Sequence, residues 1–239
     1  DVGAVVAVTT DKVYDNREWP WPYRETDALG GREPYGVSKA CCELAVEAFR
    51  RSYFEDVGQD GGRPLPVATV RAGNVVGGGD WAEDRLIPDA VRAFVGGQPL
   101  RLRNPAAVRP WQHVLEMVYG ILLLAETLRR DEATGRRCAK GWNFGPRPED
   151  IRPVSWVADR MVGAWGDGSG WELERGAQPY EARLLMLDST LAQVELGWIP
   201  RWSLDTTVAR TVEWYRSWHA GRDMAAVTRR QIEEYFGDL

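Results

Sequence analysis

The run Tyr35-Gly-Val-Ser-Lys39 sets a phenol and an ammonium at positions i and i+4. On a helix these side chains share a face, one turn apart. A free tyrosine titrates at about 10 and is a poor base at neutral pH. A lysine cation one turn away stabilises the phenolate. Together they form a general acid and base able to exchange a proton with a substrate hydroxyl. Alone, the spacing is weak evidence, because an amphipathic helix with an N-terminal tyrosine and a solvated lysine shows it equally well.

Two other runs supply context. Thr9-Thr10-Asp11-Lys12 follows an apolar stretch, so hydroxyl, carboxylate and ammonium leave the end of a predicted strand together. Ligands of open α/β sheets bind at the carboxyl ends of the strands. A second predicted strand ends in Arg71-Ala72-Gly73-Asn74-Val75-Val76-Gly77. The bland alternative is a polar loop in which Asp11 and Lys12 form a surface pair.

Positioning these residues requires a particular set of elements. Residues 3–8 (GAVVAV) are continuously apolar, which suits a strand buried on both faces in a parallel sheet. A polar, aromatic loop covers 11–34, and Pro34 opens a helix at about Tyr35. Cys41, Leu44, Ala45, Ala48, Phe49 and Ser52 provide its expected buried stripe, with Gly58 as C-cap and 59–64 as a linker. A second strand is expected over 66–73, broken by the Gly-rich run 77–80. Helices follow at 87–95, 113–129, 154–165, 189–196 and 204–218. Short strands are expected at 99–103, 141–145, 171–174 and 183–187. Strand–helix–strand order with right-handed crossovers implies an α/β fold with a parallel sheet and a smaller second lobe.

Composition bounds the function. The 239 residues carry a net charge of −5, which argues against general nucleic-acid binding. The longest apolar run, 117–128, falls short of the roughly 20 residues of a spanning helix and contains Glu126, so no membrane partner is expected. Three cysteines, two of them adjacent, suggest a reducing compartment without a disulfide framework, hence a cytoplasmic protein. An apolar strand at the very start has no earlier neighbour to pair with. The expectation is therefore the C-terminal part of a longer protein, with this strand parallel to the one near 67–71 and its other edge open.

The strand-end hydroxyl, the Tyr-x-x-x-Lys helix and the Arg-Ala-Gly-Asn-Val strand resemble the extended short-chain dehydrogenase/reductases acting on nucleotide sugars. Four blocks narrow this: TTDKVYDN at 9–16, RAGNVVGGGDWAEDRLIPD at 71–89, RPWQHVLE at 109–116 and LDSTLAQVELGW at 187–198. They resemble the CDP-glucose branch of the nucleotide-sugar 4,6-dehydratases. Asp11-Lys12 is its sharper mark, since the dTDP-glucose branch has Asp-Glu there and the 4-epimerases neither. No G-x-G-x-x-G stands anywhere in the chain, although the family's NAD pyrophosphate is held by one.

The resemblance implies an α/β fold: the C-terminal part of a doubly wound, Rossmann-like dinucleotide-binding domain over 1–76, with 113–130 packing back on it. Residues 77–239 would be mostly an interwoven sugar-nucleotide lobe. It implies NAD as cofactor and a sugar nucleotide as small-molecule partner, and it leaves room for a homo-oligomer. Tyr35 would take the proton from the sugar's carbon-4 hydroxyl, and Lys39 would hold the nicotinamide ribose. Thr10 would bond the same sugar oxygen, and Asp11 would protonate the departing carbon-6 hydroxyl. Lys12 stands where relatives place the glutamate base. It is open whether it acts as a neutral base at carbon 5 or as a cation stabilising an enolate. Asn74 and Arg109 match diphosphate or sugar contacts. Arg85, Leu86 and Ile87 would line the cleft, with Leu102 or Arg103 near the base. An epimerase or another dehydratase of the same fold, or a binding module without turnover, are the competing readings.

Other residues carry no chemistry on this reading. His113 and His219 are too few for a metal cluster, and Cys41 and Cys42 lack C-x-x-C spacing. Trp19, Trp21, Trp81 and Trp111 are expected to pack rather than stack on a base. Arg129-Arg130 and Arg136-Arg137 read as solvated surface. Glu181, in a Pro-Tyr-Glu-Ala segment where relatives often have His before the Glu, is not among the chosen site residues.

Overall fold

Strand β1 (Val5–Val8) runs parallel to β2 (Val67–Ala72), with Val5 opposite Val67 and Val8 opposite Val70. The computed structural model describes residues 2–55, 64–176 and 181–237. Gly58, residues 59–63, Pro179 and Tyr180 lie outside them. The chain forms two units. Unit 1 comprises Asp1–Gly73, Glu116–Gly145 and Leu185–Ile199; unit 2 comprises Asn74–Leu115, Pro146–Leu184 and Pro200–Leu239.

In unit 1, β2 is the middle strand, flanked by β1 and by β6 (Gly141–Phe144), both parallel to it. Every residue of β2 is buried, as its Val-Ala-Thr-Val run requires. The expectation of burial on both faces does not hold for β1. Val8 is 52% exposed and Val5 37%. Among the described residues β1 is an edge strand, pairing with β2 alone. The core sits where Ala68, Val70 and Ala72 meet Leu124 and Leu128 of α3 (Val114–Arg130), Trp142 and Phe144 of β6, and Trp198. Gly120 lets α3 approach this sheet closely, since a Cβ there would stand 2.8 Å from the Phe144 ring.

Helix α1 (Pro34–Phe49) begins as expected, with Pro34 in its first turn. Its orientation is the reverse of the apolar expectation. Gly36, Ala40 and Glu43 face inward, while Cys41, Leu44 and Phe49 are exposed. The reason is polar. The facing strands present Thr9, Thr69 and Arg71, and these draw Glu43 inward by hydrogen bonds. A π-helical turn, Arg50–Phe54, follows the helix.

Unit 2 has a three-stranded sheet of β3 (Asn74–Val76), β5 (Val108–His113) and β7 (Ile151–Pro153), parallel then antiparallel. A second ladder joins β4 (Leu100–Leu102) to β8 (Trp171–Leu173). Helices α2 (Leu86–Val95), α5 (Val154–Trp165) and α7 (Leu204–His219) bury Ile87, Val91, Phe94, Met161, Trp165, Val208 and Tyr215 in one core.

Several elements differ from expectation. Strands β3, β5 and β7 were not read, because runs such as Arg-Pro-Trp-Gln-His lack apolar alternation. Helices α4 (Glu132–Cys138) and α8 (Met224–Phe236) were also missed. Helix α4 starts at Asp131, whose carboxylate accepts from Thr134 N at 2.8 Å, so the Arg136-Arg137 turn is helical. The strand expected over 183–187 is reduced to isolated bridges, Val108 with Leu184 and Tyr23 with Leu187. The chain passes from unit 2 to unit 1 within this run.

The α3–β6 contact makes a stability prediction. Gly120→Val drives a branched side chain into the Phe144 ring and costs about 1–3 kcal/mol by overpacking. Urea denaturation followed by tryptophan fluorescence measures it. An unchanged midpoint would show that the close approach is not a constraint.

Candidate active site

The end of β1 turns immediately into a single 3-10 turn, Asp11–Val13. Thr10 caps that turn, its Oγ1 accepting weakly from Lys12 N at 3.4 Å and donating to Asp11 Oδ1 at 3.1 Å. Thr10 and Asp11 are both buried. Lys12 reaches outward. Its Nζ stands 3.3 Å from Glu33 Oε1 and 5.7 Å from the centroid of the Tyr35 ring. Tyr35 is half exposed, and Lys39 follows it one turn along α1. Thr10, Asp11, Lys12 and Tyr35 therefore gather where β1 ends and α1 begins, both in unit 1.

What orients α1 is a buried polar network. Glu43 lies two turns beyond Tyr35 and one beyond Lys39, on the same helix face. Its Oε1 accepts from Thr9 Oγ1 at 2.5 Å and Arg71 Nε at 2.9 Å. Its Oε2 accepts from Thr69 Oγ1 at 2.6 Å and Arg71 Nη2 at 2.9 Å. Arg71 Nη1 donates onward to Tyr14 Oη at 2.9 Å, and Tyr14 Oη donates to Asn143 Oδ1 at 2.7 Å. Burial pushes the Glu43 carboxyl up, but hydrogen bonds from Arg71, its charge, Thr69 and Thr9 outweigh that and hold it below the ordinary carboxylate value. Burial likewise raises Tyr14 well above a free phenol, so it stays a donor.

The remaining candidates lie in unit 2. Asn74 opens β3, opposite Trp111. Arg85 is exposed at the N-cap of α2 and Leu86 is partly buried in its first turn. Ile87 is buried in the unit's core cluster. Arg109 is buried, its Nη2 donating to Glu181 Oε1 at 2.7 Å and Nη1 to Val108 O at 2.9 Å. Leu102 is buried, whereas Arg103 lines a depression of about 390 Å³ with Asp84, Leu100, Arg101 and Glu174. His113 is enclosed, its Nδ1 accepting from Leu115 N at 3.2 Å, and burial pushes it down to about 4. It is therefore a neutral packing residue against Trp202. Trp19, Trp81 and Trp111 pack on Tyr23, Trp218 and the unit 2 core respectively. Among the described residues, no group of three His, Cys, Asp or Glu side chains is placed to hold a metal ion, and no helix is long and apolar enough to cross a membrane.

Residues 1–136 match the model of the NAD dependent epimerase/dehydratase family. The chain belongs to this family. It is 47% identical over 235 residues to CDP-glucose 4,6-dehydratase of Salmonella typhimurium, covering 98% of this chain and 64% of that protein. It is 30% identical to dTDP-glucose 4,6-dehydratase of Streptomyces griseus, covering 91% of this chain and 61% of that protein. A solved dTDP-glucose 4,6-dehydratase from Streptomyces venezuelae with NAD bound matches with a TM-score of 0.71 and 26% identity, over 93% of this chain and 62% of that one. The chain thus spans less than two thirds of the length of these relatives. The fold is accordingly the α/β, Rossmann-like one of the extended family members.

Two carboxylates on or next to α1 escaped the sequence reading. Glu43 had a signal, since it continues the Tyr35, Lys39 spacing by one more turn. Glu33 had one too, directly before the helix-opening Pro34. Glu181, noted in the sequence but not chosen, pairs in unit 2 with Arg109, 72 positions away.

Removing Glu43 leaves Arg71 charged and buried without its partner. Glu43→Ala therefore destabilises unit 1 by about 3–5 kcal/mol, and adding Arg71→Met recovers part of that. A carboxyl held below its ordinary 4.5 contributes stability above that value, which is lost as pH falls through the lowered one. The gap between wild type and Glu43→Ala should therefore be full at pH 7 and shrink in acid. Thermal melts at both pH values check this; a gap independent of pH would contradict the charged pair.

Proposed function

We propose that this chain carries the proton-transfer chemistry of a nucleotide-sugar 4,6-dehydratase. The substrate is CDP-glucose, and the product is its 4-keto-6-deoxy sugar nucleotide. The observation that carries the reading is the convergence at the end of β1, with Lys12 Nζ beside the Tyr35 ring and the buried Asp11 next to it. Elimination needs a carboxylic acid and a group acting at carbon 5, and epimerisation needs neither. Similarity to the Salmonella CDP-glucose 4,6-dehydratase supports the choice of nucleotide.

NAD suits the donor set: Tyr35 is accessible and Lys39 partly so, one turn apart on a helix rooted at a parallel strand's carboxyl end. The sequence holds no G-x-G-x-x-G, so the fit concerns the nicotinamide end. When bound, NAD supplies a hydride acceptor at carbon 4 and a donor at carbon 6. Lys39 holds the nicotinamide ribose and stabilises the Tyr35 phenolate. Tyr35 Oη takes the proton of the carbon-4 hydroxyl, and Thr10 Oγ1 bonds the same sugar oxygen. The resulting ketone acidifies the proton on carbon 5, where Lys12 acts. Asp11 gives its proton to the carbon-6 hydroxyl, which leaves as water. Unit 1 is on this reading the cofactor side and unit 2 the sugar-nucleotide side, with Asn74, Arg85, Leu86 and Arg109 its substrate contacts.

The protein works in the cytoplasm on this reading, in keeping with three free thiols. The apolar face of α1, with Leu44 59% and Phe49 58% exposed, supports a homo-oligomer.

In full-length protein, Tyr35→Phe should lower turnover by about 10²- to 10⁴-fold while leaving sugar-nucleotide binding nearly intact. Near-normal dehydration by this variant would remove Tyr35 from the mechanism. Asp11→Asn combined with Lys12→Ala should still reduce bound NAD on adding CDP-glucose, seen as NADH absorbance, with little keto product. Unchanged product formation would reduce Asp11 and Lys12 to a surface pair, and CDP-galactose as the wild-type product would favour an epimerase.

A further inference from the structure

Glu33 occupies the N-cap position of α1, where a short polar side chain ordinarily accepts from the helix's first amides. It makes no such bond. Its carboxylate instead turns to Lys12, with Oε1 sealed from solvent and 3.3 Å from Nζ. The two side chains are partly exposed, Lys12 at 51% and Glu33 at 38%, and the 3.3 Å approach is a charge contact in which Oε1 accepts no hydrogen bond.

The backbone is built to hold this pair. Lys12 O lies where a side chain on Gly36 would be, 2.6 Å from its ideal Cβ, so only glycine lets the 3-10 turn pack against the first turn of α1. Gly31, at φ 77°, approaches the same point, with its ideal Cβ 2.7 Å from Gly36 C. Gly30 N donates to Val13 O at 2.8 Å and Gly31 N to Tyr14 O at 3.2 Å, tying the segment before Glu33 to the turn that carries Lys12. Two glycines and a pair of backbone bonds therefore set the ammonium between Glu33 and the face of Tyr35.

We infer that Glu33 is a positioning residue which fixes the Lys12 side chain beside Tyr35, in the place from which Lys12 acts at carbon 5. The inference deepens the dehydratase reading and rests on it. Two cations then bracket Tyr35, Lys39 from one turn along the helix and Lys12 from the strand end.

Acylation reads the ion pair without catalysis. Full-length protein is treated with limiting acetic anhydride at pH 8, and Lys12 modification is followed by mass spectrometry. Only the amine reacts, so Glu33→Gln should acetylate at Lys12 about 1.5- to 5-fold faster than wild type, and Glu33→Asp should restore part of the protection. Equal rates in all three proteins would overturn the pair. With NAD and CDP-glucose, Glu33→Gln should lower kcat by roughly 10²-fold at unchanged KM and accumulate bound NADH, with partial rescue by Glu33→Asp. Unchanged or faster turnover in Glu33→Gln would overturn the positioning role. Wild-type protein that forms no 4-keto-6-deoxy product would overturn the dehydratase reading and with it the catalytic half of the inference. The acylation rates tell that failure apart from failure of the ion pair.

Discussion

Glu43 and Arg71 form an ion pair in the interior of unit 1, and the chemistry-bearing residues hang from it. The carboxylate accepts from Thr9 just past β1, from Thr69 and Arg71 on β2, and sits on the helix that carries Tyr35 and Lys39. Buried ion pairs are uncertain sources of stability, because desolvation offsets much of the Coulomb attraction. They do specify geometry, since a helix rotated by one residue would leave a carboxylate and a guanidinium unmatched in the interior. An apolar interface would tolerate such a rotation far better. On the proposed reading α1 aims a phenol at one hydroxyl, and that specificity is then the useful property.

The same interaction explains where sequence reasoning succeeded and failed. The parallel pairing of β1 with β2 was legible, because two apolar runs ending in polar residues can scarcely pair otherwise in an α/β chain. The start of α1 was legible from Pro34. The inward face of α1 was not. Periodicity assigns the apolar side to the core, and here Cys41, Leu44 and Phe49 point out while Glu43 points in. Strands β5 and β7 were illegible for a related reason: Arg109 and Gln112 are buried on β5, so alternation is lost where polar side chains turn inward. Of the candidate site, Thr10, Asp11, Lys12 and Tyr35 were readable as a group. The burial of Ile87 in the unit 2 core was not readable, because a loop motif carries no sign of which face the following helix buries.

The polar layer around β1 grades from structural to chemical along a few residues. Thr9 is committed to Glu43 and to Val70 O, and so fastens the strand. Thr10, next along, caps the turn. Asp11 is buried, and Lys12 stands outward beside Tyr35 and Glu33. Alternation along a strand places neighbours on opposite sides, so one strand end supplies both the anchor and the site. The membership of the NAD dependent epimerase/dehydratase family fits this arrangement, in which the fold holds a few side chains still and leaves redox chemistry to a cofactor.

The central claim is that this site moves hydrogen from carbon 4 to carbon 6 of one sugar while water is lost. Full-length protein supplied with NAD and CDP-glucose deuterated at carbon 4 tests it in a single experiment, with the product's label located by NMR. The account predicts deuterium at carbon 6 of a 4-keto-6-deoxy sugar and a solvent hydrogen at carbon 5. Deuterium remaining at carbon 4 of an intact hexose would contradict it.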